Sequence, residues 1–217
     1  MTLFSSRYDA YSTEKLHRVD GNPKPVITCV PAAVALVPIL PLERLMSTLS
    51  NSGILISAAE SPLDIAQIRK LFTEYAESLG FSLCFQDFDR ELTGLPGDYA
   101  PPEGRLLIAR RGDESAGCIA LHGFEPDRLE PDRVEPGICE MKRLYVRPQF
   151  RGSGLGRLLT ERVIADAKSV GYAKMRLDTV EPKMKNAVAL YRALGFREIG
   201  SYRPNPIEGA MYMELAL

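Results

Sequence analysis

Leu144-Tyr145-Val146-Arg147-Pro148-Gln149-Phe150-Arg151-Gly152-Ser153-Gly154-Leu155-Gly156 decides the reading of this chain. A stretch of strand character runs into a glycine-rich turn, and an amphipathic helix opens behind it. Glycines at 152, 154 and 156 let backbone N–H groups approach a ligand unhindered, and a helix N-terminus adds the positive end of its dipole. The combination makes an anion cradle suited to a pyrophosphate.

Spacing narrows the choice of ligand. A dinucleotide fingerprint starting at Gly152 needs a third glycine where Arg157 stands, and no Gly-Lys-Ser/Thr run supplies a Walker loop. What remains is R-x-x-G-x-G at Arg151, Gly154 and Gly156, overlapped by a second copy at Gln149, Gly152 and Gly154. Leu-x-Val precedes it at Leu144 and Val146, and Ala-x-x-Leu-Tyr-x-x-x-Gly-Phe follows from Ala187 to Phe196.

With these motifs, residues 54–217 resemble the GNAT superfamily of acyl-CoA-dependent N-acetyltransferases. The resemblance implies an α/β (α+β) fold, in which a central mixed β-sheet is flanked by helices around a βαβ acyl-CoA-binding core. It implies acetyl-CoA as cosubstrate, no metal, and room for a homodimer. It places backbone groups of Leu144 and Val146 against the pantetheine arm, and the amides of Arg151, Gly152, Ser153, Gly154, Leu155 and Gly156 around the pyrophosphate. Tyr191 matches the family tyrosine near the coenzyme sulfur. One departure stands out: the family pattern has asparagine seven residues before that tyrosine, where this chain has Met184.

Composition sets outer bounds. A chain of 217 residues with 45% hydrophobic content can bury one substantial core, which predicts one domain over 54–217 and a poorly structured extension over 1–53. Twenty-seven basic against 28 acidic residues leave a net charge of −1, which argues against a general nucleic-acid surface. Four cysteines without C-x-x-C spacing and two histidines make no zinc set, and they read as reduced thiols of a cytoplasmic protein. The apolar run over 26–42 is broken by Pro31, Pro38 and Pro41, so it should not span a membrane. Its long polar lead and prolines also argue against a signal peptide; an alternative start at Met46 stays open.

Local signals predict the elements. A strand at 54–58 precedes Ser61-Pro62-Leu63-Asp64, an N-cap with proline at N1 and an acidic N3 residue, and Gly80 is placed to end the helix that follows. Residues 81–102, aromatic and then rich in glycine and proline, read as a loop that walls a cleft. Strands at 105–110 and 116–123 form a hairpin. The near-repeat over 125–136 reads as a lengthened solvated loop. A strand at 139–146, a helix at 154–170 and a strand at 173–179 make the βαβ unit, followed by a helix at 183–194 and strands at 197–199 and 211–215.

Acyl transfer to an amine needs an anchored donor, a deprotonated amine and a proton for the departing thiolate. Strand alternation predicts Glu140, Lys142, Leu144 and Val146 on one face, which would turn the Glu140 carboxylate toward the donor as base, directly or through a water. Pairing of Glu140 with Lys142 or Arg143 as structural charge is equally open. The resemblance makes Tyr191 the acid. His122 and the cysteines have little support as catalytic groups. Acetyl transfer to a primary amine of a small molecule or amino acid is the preferred activity, and Lys142, Arg143 and Arg203 could greet a carboxylate. A non-catalytic acyl-CoA-binding module and a protein or peptide N-acetyltransferase are the alternatives.

Overall fold

In the computed structural model, described residues are 53–124, 137–181 and 183–217. The expectations for residues 1–52, including Met46, for the near-repeat over 125–136 and for Pro182 lie outside them.

Ser61 opens α1 (Pro62–Leu79) with the full reciprocal cap: its hydroxyl accepts from the Asp64 amide at 3.1 Å, and Asp64 accepts from the Ser61 amide at 3.1 Å. Gly80 closes the helix in the left-handed conformation at φ 67°. Residues 81–102 hold more order than a plain loop, with single turns at Cys84–Gln86 and Gly97–Tyr99 flanking the short helix α2 (Phe88–Gly94).

The strands are β1 (Ile54–Ala58), β2 (Arg105–Arg111), β3 (Glu114–Gly123), β4 (Ile138–Val146), β5 (Lys174–Val180), β6 (Arg197–Ile199) and β7 (Ala210–Ala216). They form one sheet in the order β1-β2-β3-β4-β5-β7-β6, antiparallel except for β4 against β5. The crossover between these two is α3 (Leu155–Val170), and α4 (Lys185–Ala193) follows β5. Two apolar clusters sandwich the sheet. Leu155, Leu159 and Val163 of α3, with Val188 and Tyr191 of α4, pack on one face; Ile68, Leu71 and Phe72 of α1, with Phe88 of α2, pack on the other. Among the described residues no helix is long and apolar enough to cross a membrane.

Two irregularities prepare the site. The parallel pairing of β4 with β5 lasts for three residue pairs and stops at Glu140 against Arg176, beyond which the strands part. The second is a bulge in β4: Lys142 pairs with Ala120 and Tyr145 with Cys118, so Arg143 and Leu144 together face Ile119. Arg143 takes up the extra residue at φ 57°.

The bulge corrects the predicted alternation. Glu140 and Lys142 lie on the α1 side, with Arg143 turned to the same side and Tyr145 following, while Leu144 and Val146 join the cluster on the α3 side. Glu140 and the two donor-arm residues are therefore on opposite faces. An inserted residue reverses the side-chain parity of everything after it.

Candidate active site

The glycine loop leaves β4 through a turn at Pro148–Phe150 and enters α3 at Gly154. Gly152 and Gly154 have φ of 78° and 81°, and a Cβ on either would meet nothing within 4 Å. These glycines are required by backbone conformation rather than crowding. No side chain caps α3. The first amides of a helix have no intrahelical acceptor, so those after Gly154 point outward as donors for an anion. Arg151 fixes the loop to the strand by donating from Nε to the Val146 carbonyl at 2.9 Å, with its guanidinium 5.9 Å from the Tyr145 ring centroid. A Cβ at Gly156 would lie 3.8 Å from Leu190 of α4 and 4.0 Å from Val146, which puts the cradle at the edge of the gap between β4 and α4.

Where β4 and β5 part, a narrow void of about 40 Å³ opens between Tyr75 of α1, Lys142 and Arg143 of β4, and Asp178 and Thr179 of β5. Met184, just before α4, also lines it and takes a 3.4 Å contact from the Thr179 hydroxyl to its Sδ. Tyr191 is 7% exposed and packs its ring against Phe196. Burial, then the nearby Tyr75 and Asp178, push its phenol above the ordinary tyrosine range; burial likewise brings Tyr75 up to about 12.

On the α1 side lies a cavity of about 550 Å³, walled by Gln86, Glu91, Tyr99, His122 and Lys142, with Arg203 from the segment between β6 and β7. A closed circuit of polar contacts surrounds it. His122 Nε2 lies 3.2 Å from Glu140, Lys142 Nζ is 3.7 Å from Glu140 and 3.5 Å from Asp178, and Gln86 Nε2 donates to Asp178 at 3.2 Å. Arg143 donates to Gln86 at 2.9 Å and doubly to Glu91, and the Tyr99 hydroxyl donates to Glu91 at 2.6 Å. The Tyr99 ring meets the His122 ring edge-on at 5.7 Å.

Glu140 is the most enclosed member, with no exposed surface. Besides His122 and Lys142, it accepts from the Tyr202 hydroxyl at 2.8 Å and from Arg203 at 2.5 Å. Burial alone would raise its carboxyl, but the Lys142 ammonium, the His122 ring and Arg203 outweigh it and hold the group well below the usual carboxylate range. A carboxylate held down in the folded state stabilises the fold above its unfolded pKa, and that contribution is lost as falling pH protonates it. The melting temperature should therefore drop as pH goes below about 4.5, the ordinary glutamate value. Glu140→Gln, less stable at pH 7, should show a shallower acid limb; equal slopes in thermal melts would contradict this account.

The polar neighbours of Glu140 come from β3 (His122), β4 (Lys142) and the β6–β7 segment (Tyr202, Arg203). Sequence reading offered Lys142 as a partner of Glu140 but not His122, Tyr202 or Arg203, which lie 18, 62 and 63 positions from it with no shared local motif. It offered Arg143 and Arg203 to a substrate carboxylate, with Arg143 alternatively pairing Glu140; here Glu91 engages Arg143 and Glu140 engages Arg203. Cys118 and Cys139 are fully buried, with their thiols pushed up by burial, the latter to about 12.

Comparison with known proteins gives a consistent set. Residues 65–196 match the family model described as the acetyltransferase (GNAT) family. An uncharacterized N-acetyltransferase of Schizosaccharomyces pombe is 41% identical over 167 residues, covering 76% of this chain and 96% of its own length. One of Dictyostelium discoideum is 30% identical over 202 residues, covering 70% and 93% respectively. Among solved structures, yncA of Salmonella typhimurium, determined with its cofactor acetyl-CoA, is similar with a TM-score of 0.56 at 18% identity, over 76% of this chain and 94% of that one.

Proposed function

Because the chain belongs to the GNAT acetyltransferase family, we propose that it moves an acetyl group from acetyl-CoA to a primary amine of a small molecule or amino acid. The observation that carries this reading is the alignment of three spaces: the glycine cradle before α3, the gap where β4 leaves β5, and the walled cavity on the α1 side. A donor laid from the cradle into the gap would bring its thioester to the cavity floor. The cavity volume falls in the range of small-ligand pockets, roughly 300–1,000 Å³, which favours a small acceptor over a protein segment.

In this reading the catalytic domain spans 54–217. The amides of residues 151–156 hold the pyrophosphate, and backbone groups of Leu144 and Val146 hold the pantetheine arm on the α3 face. Buried thiols suit a reducing, cytoplasmic setting.

The amine proton leaves toward Glu140. His122 has two acceptors, the Gly123 carbonyl 2.7 Å from Nδ1 and Glu140 at Nε2. Both ring nitrogens therefore face acceptors, so His122 orients Glu140 rather than receiving the amine proton, which passes to the Glu140 carboxylate through a water. Tyr191 supplies the proton for the thiolate.

The test is to incubate the protein and acetyl-CoA with mixed primary amines and measure free thiol against a control without amine. Amine-dependent release, with acetylated products found by mass, is expected. Acetyl-CoA binding without such release would favour a non-catalytic binding module.

A further inference from the structure

Gln86, Lys142 and Arg143 are shared by the walls of the large cavity and the narrow void, so they form the neck between the acceptor's space and the donor's. Any acyl group passing from one to the other crosses there. Two of the three have committed polar atoms. Gln86 gives its amide nitrogen to Asp178 and its oxygen to Arg143, and all three guanidinium nitrogens of Arg143 donate to Glu91 or Gln86.

Lys142 is different. It is 8% exposed, yet among the described residues its ammonium makes no hydrogen bond; it has only two carboxylates, at 3.5 and 3.7 Å. Those distances keep the charge in place but lie beyond a normal N–H···O bond. The neck thus holds one buried cation with N–H donors to spare, fixed by Glu140 from one side and Asp178 from the other.

We propose that Lys142 is the oxyanion donor of the acetyl transfer, its ammonium receiving the negative charge that develops on the thioester oxygen. This rests on the acetyltransferase reading above and assigns the charge-stabilising role within it. In the step, the neutral amine's lone pair forms the C–N bond while the carbonyl π pair moves onto oxygen. The amine proton passes through a water to the Glu140 carboxylate. Collapse of the oxyanion restores C=O and breaks the C–S bond, and the thiolate takes a proton from Tyr191. Lys142 stays protonated throughout and only donates a hydrogen bond. A preformed, buried cation stabilises the transition state more than the ground state, because full negative charge develops only in the former.

The test uses the full chain and acetyl-CoA labelled with 13C at the carbonyl. Lys142→Met should reduce kcat by on the order of 10²–10³-fold, the range for loss of an oxyanion donor, with little change in acetyl-CoA affinity by calorimetry. Lys142→Arg, which keeps charge and donors, should recover part of the rate. Isotope-edited infrared spectra of bound acetyl-CoA should show the carbonyl stretch at lower frequency in the wild type than in Lys142→Met, an effect that a purely structural lysine would not produce. Identical carbonyl frequencies with intact binding would overturn the role of Lys142 while leaving the acetyltransferase reading standing. If Lys142→Met fails to fold, the wild-type and Lys142→Arg frequencies decide: both at the value of free acetyl-CoA would overturn it. Failure of the wild type to bind acetyl-CoA would instead remove the underlying reading.

Discussion

Gly154→Asp should weaken acetyl-CoA binding about a thousandfold. The substitution puts a carboxylate at the mouth of a helix whose uncapped amides are proposed to hold a pyrophosphate. Two unit charges about 4 Å apart repel by roughly 4 kcal/mol at the effective dielectric of a protein surface, and every 1.4 kcal/mol or so is tenfold in affinity. Gly154 sits at φ 81°, and a Cβ there would meet nothing within 4 Å, so the new side chain displaces no neighbour. Aspartate is also among the residues that tolerate left-handed backbone. Gly154→Asn is the matched control, with the same shape and backbone demand but no charge, and it should retain most of the affinity. Calorimetry with acetyl-CoA on both variants decides the matter. Equal losses would mean that shape or strain accounts for the effect, and unchanged binding in both would remove the cradle as the anchor.

The glycine loop was legible in sequence because its physics is local. Gly152 and Gly154 take left-handed backbone before an amphipathic helix that has Gly156 in its first turn, so conformation and dipole are decided over six residues. The same holds for the Ser61–Asp64 cap of α1 and the left-handed Gly80 that ends it, each decided by contacts within one turn. What escaped was the facing of β4. Arg143 adopts φ 57° without being glycine or asparagine, so nothing in its own identity marks a bulge. The cause lies across the sheet, in the register of β3 against β4 and in the grip of Glu91 and Gln86 on the Arg143 guanidinium. The polar cluster divides the same way. Glu140 was singled out by an alternation with Leu144 and Val146 that the bulge breaks, and its neighbours His122, Tyr202 and Arg203 are brought to it only by strand pairing and the return of the chain between β6 and β7. Lys142 was read either as a cation for a substrate carboxylate or as a structural partner of Glu140, and it lies 3.7 Å from Glu140; its second carboxylate, Asp178, depends on the separation of β4 from β5, which no residue pattern encodes.

Tyr191→Phe should lower kcat by on the order of 10²–10⁴-fold, the usual span for a positioned acid, with little change in acetyl-CoA affinity. The helix that carries Tyr191 also places Leu190 beside Gly156, so the phenol and the cradle are held by adjacent residues of α4. The hydroxyl makes no hydrogen bond among the described residues, and the groups that raise its pKa after burial itself are Tyr75 and Asp178, both lining the void where β4 leaves β5. Removing it costs no internal partner, so the change in folding stability should stay within about 1 kcal/mol, the worth of a single net hydrogen bond. The upward shift also has a kinetic consequence. Burial keeps the proton on Tyr191 across the neutral and mildly alkaline range, so the acid does not titrate there. Wild-type rate should climb with pH as the acceptor amine loses its proton, without a falling limb from Tyr191. The phenylalanine variant should then trace the same rising profile at a much lower level until thiolate expulsion limits turnover, where the profile flattens. Steady-state kinetics at saturating acetyl-CoA across pH measures both features. A variant with near-wild-type kcat would assign the thiolate's proton to water or to Tyr75 instead, and a loss confined to KM would recast Tyr191 as a residue that positions the donor.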